Sequence, residues 1–182
     1  MEIRTTRIAV ILALFTASLS LYPIAAAGKE AKMTDAFRMT SSVFENNGSI
    51  PAKFTCDGRD INPPLSIQSV PAGTKSLALI VDDPDAPRGM WVHWVVWNID
   101  PKTTEIREDT VPTGAAQGMN DFRKKDYGGP CPPSGTHRYF FKLYALDTQL
   151  SPGANAEKTD LEKAMKGHII SEAQIMGTYK RK

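Results

Sequence analysis

Apolar positions in this chain fall into a few short runs separated by polar, proline-rich stretches. The run L-A-L-I-V at 77–81 is continuous and of strand length. It breaks at Asp82, Asp83 and Asp85, interleaved with Pro84 and Pro87. It resumes at 91–98 as W-V-H-W-V-V-W-N, a second strand with a histidine inside. A third strand, H-R-Y-F-F-K-L-Y-A-L, occupies 137–146. Residues 37–44 also have strand composition, and Asn47-Gly48 is a hairpin signal leading into I-P-A-K-F-T at 50–55. Residues 157–166 read as a helix, with Thr159 or Asp160 near its start and Gly167 as its stop. The tail at 168–179 fits helix or strand, because Ile169, Ile170, Ile175 and Met176 decide for neither. The long irregular stretch that follows Asn98, running to Pro133, is rich in Gly, Thr and Pro. A loop of that length is functional or holds short strands of its own. Strands dominate and helix comes late, so the pattern predicts a mostly β domain with a helix near the C-terminus.

The 182-residue length favours one domain with a hydrophobic core. Apolar residues at 41% and charged residues at 23% are ordinary for a globular chain. Net charge is +2, and the basic runs are three residues long, Arg123-Lys124-Lys125 and the tail Lys180-Arg181-Lys182, which argues against a nucleic-acid partner. Residues 1–27 have the form of a cleaved signal peptide: Arg4 and Arg7, an apolar region at 8–21, then Ala25-Ala26-Ala27. The apolar region is shorter than the roughly 20 residues a membrane span needs. Cleavage leaves 20 basic and 19 acidic residues, so no stable membrane insertion or strong attraction to a membrane surface is expected. Residues 28–36 read as a flexible N-terminal segment and 37–182 as the domain. Cys56 and Cys131 are the two cysteines. In an exported chain an even count invites a disulfide, and both lie in Gly/Pro-rich loops outside the strand signals.

Alternation along a strand says which side chains share a face. Leu77, Leu79, Val81 and Asp83 fall together, as do Trp91, His93, Val95 and Trp97, and His137, Tyr139, Phe141 and Leu143. Each predicted strand carries one ionisable residue on an otherwise apolar face. Taken singly, each has a plain structural explanation: a lone histidine in an apolar strand is usually a satisfied core residue, and Asp before Pro usually forms a turn. Together they are costly to bury without partners, which favours a shared polar pocket. An Asp with two His could hold a divalent metal, but neither H-x-H nor H-E-x-x-H spacing occurs. The alternative is an anion site. There, two imidazoles donate, the Asp fixes a tautomer, and N–H groups of Gly128-Gly129-Pro130-Cys131 form a nest.

D-P-D-A-P at 83–87, H-W at 93–94, G-P-C-P-P-S-G at 129–135 and H-R-Y at 137–139 resemble the phosphatidylethanolamine-binding protein (PEBP) family. The likeness is closest to its bacterial Raf-kinase-inhibitor-like branch. C-D-G with N-P-P-L within 56–65 and E-A-Q-I-M-G-T-Y at 172–179 extend it over most of 37–180. The resemblance implies an antiparallel β-sandwich-like fold with one or two short helices toward the C-terminus, and a small anion pocket. It places Asp83, Asp85, Pro87, His93 and His137 in that pocket, with Gly129, Pro130 and Cys131 supplying backbone donors. It makes Arg138 structural and the Ala86–Pro87 bond cis. A Cys56–Cys131 bridge would then pin two pocket loops. Eukaryotic members carry a longer loop where this chain has 88–92, and a second histidine beside the first, where Trp94 stands here.

The expected function is an exported binding protein for a small anion: phosphate, a phospholipid head group or a carboxylate. No cofactor, metal or catalytic residue is expected, since no nucleophile motif stands beside a base. Two other readings remain at this level. One is an exported effector or inhibitor acting by protein contact independently of the pocket. The other is a weak hydrolase using His93 or His137 as general base.

Overall fold

The computed structural model describes residues 36–181. The expected leader at 1–27 and nearly all of the segment at 28–36 lie outside them. The elements are β1 (Arg38–Thr40), β2 (Leu65–Gln68), β3 (Ser76–Asp83), β4 (Trp91–Ile99), β5 (Glu105–Ile106), β6 (Ala116–Gln117), β7 (His137–Leu146), α1 (Lys158–Met165) and β8 (Ile169–Tyr179). They form a three-stranded sheet, β1-β2-β5, and a five-stranded sheet, β6-β4-β3-β7-β8. Every paired strand within both sheets is antiparallel.

The main core lies between the sheets. Met39, Leu65, Ile67 and Ile106 of the small sheet meet Leu77, Leu79, Val81, Trp94, Val96, Phe141 and Leu143 of the large one. The far face of the large sheet holds a second core, where Ala78, Ile80, Val95 and Trp97 meet Leu161 and Met165 of α1. Because β3 is covered on both faces, all eight of its residues are buried. This is why its sequence reads as a continuous apolar run rather than an alternating one.

The alternation predicted for 91–98 is interrupted twice. Val81 pairs with Trp94 but Asp82 pairs with Val92, so β4 has one extra residue at His93. A second shift lies between Leu77 and Leu79, opposite Ile99 and Val96, where Asn98 takes φ 57°. Bulges of this kind re-aim side chains. As a result Val95 and Trp97 do not share the face of His93. They join the core under α1, while Trp94 and Val96 face the small sheet.

The segment at 37–44 contributes only the three residues of β1. Asn47-Gly48 does turn the chain, with the Gly48 N–H donating to Glu45 O at 2.8 Å, but no hairpin partner follows. Ser49 makes a parallel bridge to Thr178, and Ala52–Phe54 is a 3-10 turn. Pro51, lacking an N–H and fixed in φ, prevents a ladder there. The undecided tail is β8, with Ala173, Ile175 and Tyr179 buried on one face. The helix begins at a capping box, Glu157 with Asp160, and ends before Gly167 at φ 84°. The irregular stretch between β4 and Pro133 holds β5 and β6.

Candidate functional site

Alternation along β3 sends Asp82 and Asp83 to opposite faces. Asp82 turns toward α1, where Lys142 Nζ (2.8 Å) and Lys158 Nζ (2.6 Å) meet its fully buried carboxylate. Asp83 stays on the side of Val81, at the end of the inter-sheet core. Its Oδ1 accepts the N–H of Asp85 at 2.8 Å, and its Oδ2 lies 2.7 Å from His137 Nδ1. The first contact is an Asx turn, favoured because Pro84 can neither donate nor continue the strand. The second arises because β7 is the antiparallel neighbour of β3, so His137 at its start lies beside the end of β3. Both groups are buried, and the contact requires His137 to carry its proton on Nδ1.

His93 is the bulged residue of β4 and is 2% exposed. Its Nδ1 lies 2.6 Å from Gly128 O, and the Gly128 N–H donates to His93 O at 3.0 Å. Asn120 Nδ2 also donates to His93 O at 3.2 Å. The imidazole is thus docked against the loop between β6 and β7. A carbonyl can only accept, so Nδ1 carries the hydrogen. Nε2 is buried and has no hydrogen-bond partner. Leaving such an atom unsatisfied costs about 1–3 kcal/mol. Burial lowers the His93 pKa, outweighing the Gly128 carbonyl and the Asp83 and Asp121 charges. Phe122 and Tyr139 pack against the ring in T-shaped arrangements, with centroids 5.3 and 5.2 Å away. The Tyr139 hydroxyl is also buried without a partner, and burial followed by the Asp83 charge raises its pKa.

These groups border a cavity of about 380 Å³ lined by Asp83, His93 and His137 with Pro87, Trp91 and Phe122. Ala86, Arg88, Cys131, Pro132 and Pro133 complete its wall. The surface is mainly apolar, with the two imidazoles and one carboxylate at its base, the composition expected of a small-molecule site. Among the described residues, no group of three His, Cys, Asp or Glu side chains is placed to hold a metal ion.

Three residues expected in the pocket stand elsewhere. Asp85 forms a bidentate pair with Arg138, Oδ2 to Nε at 2.8 Å and Oδ1 to NH2 at 2.7 Å, and also accepts the Arg138 N–H. The guanidinium holds its carboxyl at about 2. Asp85 therefore clamps the turn after β3 onto β7, and Arg138 is structural as expected. Gly129 and Pro130 supply no nest. The Gly128 N–H is taken by His93 O, the Gly129 N–H by Asp60 Oδ1 at 2.6 Å, and Pro130 has none. These glycines are there for close approach. A Cβ at Gly129 would sit 2.7 Å from Phe54 O, and one at Gly128 would sit 2.4 Å from the Phe122 ring.

The Ala86–Pro87 bond is trans, not cis. Gly89 N–H donates to Ala86 O at 2.9 Å, which puts Pro87 at the second position of a β-turn, where a trans proline fits. Cys56 and Cys131 are bridged, Cα to Cα 5.4 Å, and Cys131 forms part of the cavity wall. Arg88 and Phe122 were missed from sequence. The available signal for Phe122 is a lone aromatic in the polar run N-D-F-R-K-K-D at 120–126, and for Arg88 a cation directly after D-A-P.

Comparison with known proteins gives a consistent picture. The family model for phosphatidylethanolamine-binding protein matches residues 40–180. A UPF0098 protein of Methanothermobacter thermautotrophicus is 50% identical over 148 residues, spanning 79% of this chain and 98% of its own. A solved PEBP homolog from Chlamydia trachomatis superposes with a TM-score of 0.78 at 43% identity, covering 81% of this chain and 99% of that one. E. coli YbcL, described as a member of the mammalian PEBP family, gives a TM-score of 0.75 at 35% identity over 80% of this chain and 99% of its own.

Proposed function

This chain belongs to the phosphatidylethanolamine-binding protein family, and on that premise we propose that it is an exported binding protein for a small anionic group. The group is a phosphate, a phospholipid head group or a carboxylate. The observation that carries the reading is the pair of imidazoles on one apolar-walled cavity. His137 is oriented by Asp83 at 2.7 Å, and His93 is docked on Gly128 at 2.6 Å. Each keeps its Nδ1 engaged within the protein and leaves Nε2 for a ligand. Arg88 at the cavity wall adds a cation of the sign an anion needs. The Asp83 carboxylate keeps its charge, but the Asp85 N–H and His137 Nδ1 engage both of its oxygens, so it meets the ligand through the His137 ring.

Export is supported by the leader-like sequence at 1–27 and by the Cys56–Cys131 bridge, which persists in an oxidising compartment. The role is binding rather than turnover: the polar groups of the cavity are held by their neighbours, and none is a hydroxyl or thiol set beside a base. Isothermal titration of the mature protein with phosphate, phosphoethanolamine and acetate tests the reading. Binding in wild type and its loss in His137→Ala is the expected result. Equal heats for both proteins overturn it. A protein partner whose capture is indifferent to His137→Ala would favour action by protein contact instead.

A further inference from the structure

The two imidazoles are not equivalent, and the difference bears on what kind of anion fits. We propose, resting on the anion-site reading above, that the pocket selects an oxyacid group that still carries one proton. His93 Nε2 accepts the hydrogen bond from that O–H, while His137 faces an ionised oxygen of the same group.

The argument begins with the tautomer of His93. Its Nδ1 faces a carbonyl oxygen at 2.6 Å, so the ring hydrogen sits there and Nε2 presents a lone pair. That atom is buried and has no donor in the protein. An unprotonated phosphate oxygen arriving there would set lone pair against lone pair. Either His93 becomes an imidazolium or the ligand brings the hydrogen. The surroundings disfavour the imidazolium. Phe122 and Tyr139 pack across His93 in T-shaped arrangements and bring it neither an opposite charge nor a hydrogen bond to Nε2. The Asp83, Asp82 and Asp121 charges pull the other way, but none of the three carboxylates bonds to Nε2: Asp83 holds His137 and the Asp85 N–H, Asp82 holds Lys142 and Lys158, and Asp121 holds the Val92 N–H at 2.6 Å. Arg88 and His137 line the same cavity and oppose a further positive charge. Burial acts in the same direction.

His137 is the opposite case. Its ring lies against a carboxylate, so a proton added at Nε2 forms an ion pair with Asp83 and gives the donor an ionised oxygen requires. The site therefore offers one acceptor among donors. A phosphomonoester monoanion supplies both an O–H and ionised oxygens. A phosphodiester has no O–H to give.

The test is titration calorimetry of the intact, disulfide-bonded protein with phosphoethanolamine, a monoester, and glycerophosphoethanolamine, a diester. The monoester's second ionisation lies near pH 6, so its monoanion fraction falls about 50-fold between about pH 6 and about pH 8. The diester does not titrate there, so its pH response is the protein's own and serves as the reference. At about pH 6 the monoester is expected to bind about 10–100-fold more tightly than the diester, the cost of one unmade bond to a charged group. That ratio is expected to collapse toward unity at about pH 8, and to be near unity at both pH values in His93→Phe. Equal affinities for the two ligands at about pH 6, or a ratio unchanged at about pH 8, overturn the proposal while leaving the anion site standing. The wild-type series decides this even if His93→Phe does not fold. No heat from either ligand or from inorganic phosphate removes the anion site, and this proposal with it.

Discussion

Cutting the Cys56–Cys131 bridge separates two kinds of restraint on the cavity loops. The bridge joins residues 75 apart in sequence. In the chain-entropy treatment, releasing a loop of that length gives the unfolded chain about 4.5 kcal/mol of freedom, against about 2–4 kcal/mol typically realised. The same two loops are also tied by hydrogen bonds: the Cys56 N–H to Pro130 O at 3.1 Å, the Gly129 N–H to Asp60 Oδ1 at 2.6 Å, and the Tyr127 hydroxyl to Phe54 O at 3.2 Å. These contacts remain when the sulfurs are removed. The native fold is therefore expected to survive in Cys56→Ser/Cys131→Ser, with the loss appearing mainly through the unfolded state. Urea denaturation followed by circular dichroism should show a stability loss of about 2–4.5 kcal/mol, and the thermal midpoint should fall by about 5–15 °C. The slope against urea should rise, because a chain without the cross-link exposes more surface. Wild type in reductant should match the double variant once two thiols titrate with Ellman's reagent. An unchanged midpoint with both thiols titrating would refute the reasoning, as would a variant that is already unfolded in buffer.

Two further outcomes follow from the charged pairs around the site. Asp82→Asn leaves the Lys142 and Lys158 ammonium groups facing a neutral buried amide, and is expected to cost about 3–5 kcal/mol. The lower end is favoured because Lys142 is a quarter exposed and can swing outward; a loss below about 1 kcal/mol by urea titration contradicts the buried pairing. Asp85, held at about 2 by Arg138, has a folded pKa below its unfolded value. Its contribution to stability is present above about pH 4, and is lost as pH falls through about 2. Arg138→Gln should move the Asp85 titration upward in carboxyl-detected NMR; a carboxyl still titrating near 2 in that variant would mean that Arg138 is not the cause.

Some of this protein could be read from its residues one strand at a time. The run at 77–81 and the alternation at 137–146 mark β3 and β7, and period two puts Asp83 with Val81 and His137 with Tyr139. The cap and the glycine stop mark α1. The cysteine pair and its loop setting point to the bridge that is present. These features are local, or depend on a count.

The tertiary structure decided what depends on pairing between distant segments. Strand order β4-β3-β7 brings Asp83 to His137, and nothing in either strand specifies that neighbour. The extra residue at His93 exists only as a mismatch against β3, so strict alternation wrongly grouped it with Val95 and Trp97. Asp85 carries the same motif as Asp83, yet Arg138 takes it because it extends past the strand end to the outer side of β7. The glycines at 128 and 129 suggest free backbone donors in sequence, but folding spends their N–H groups on His93 and Asp60. A residue type fixes which hydrogen bonds a group can make. Only the packing of segments remote in sequence fixes which of them are already made, and so which atoms remain for a ligand.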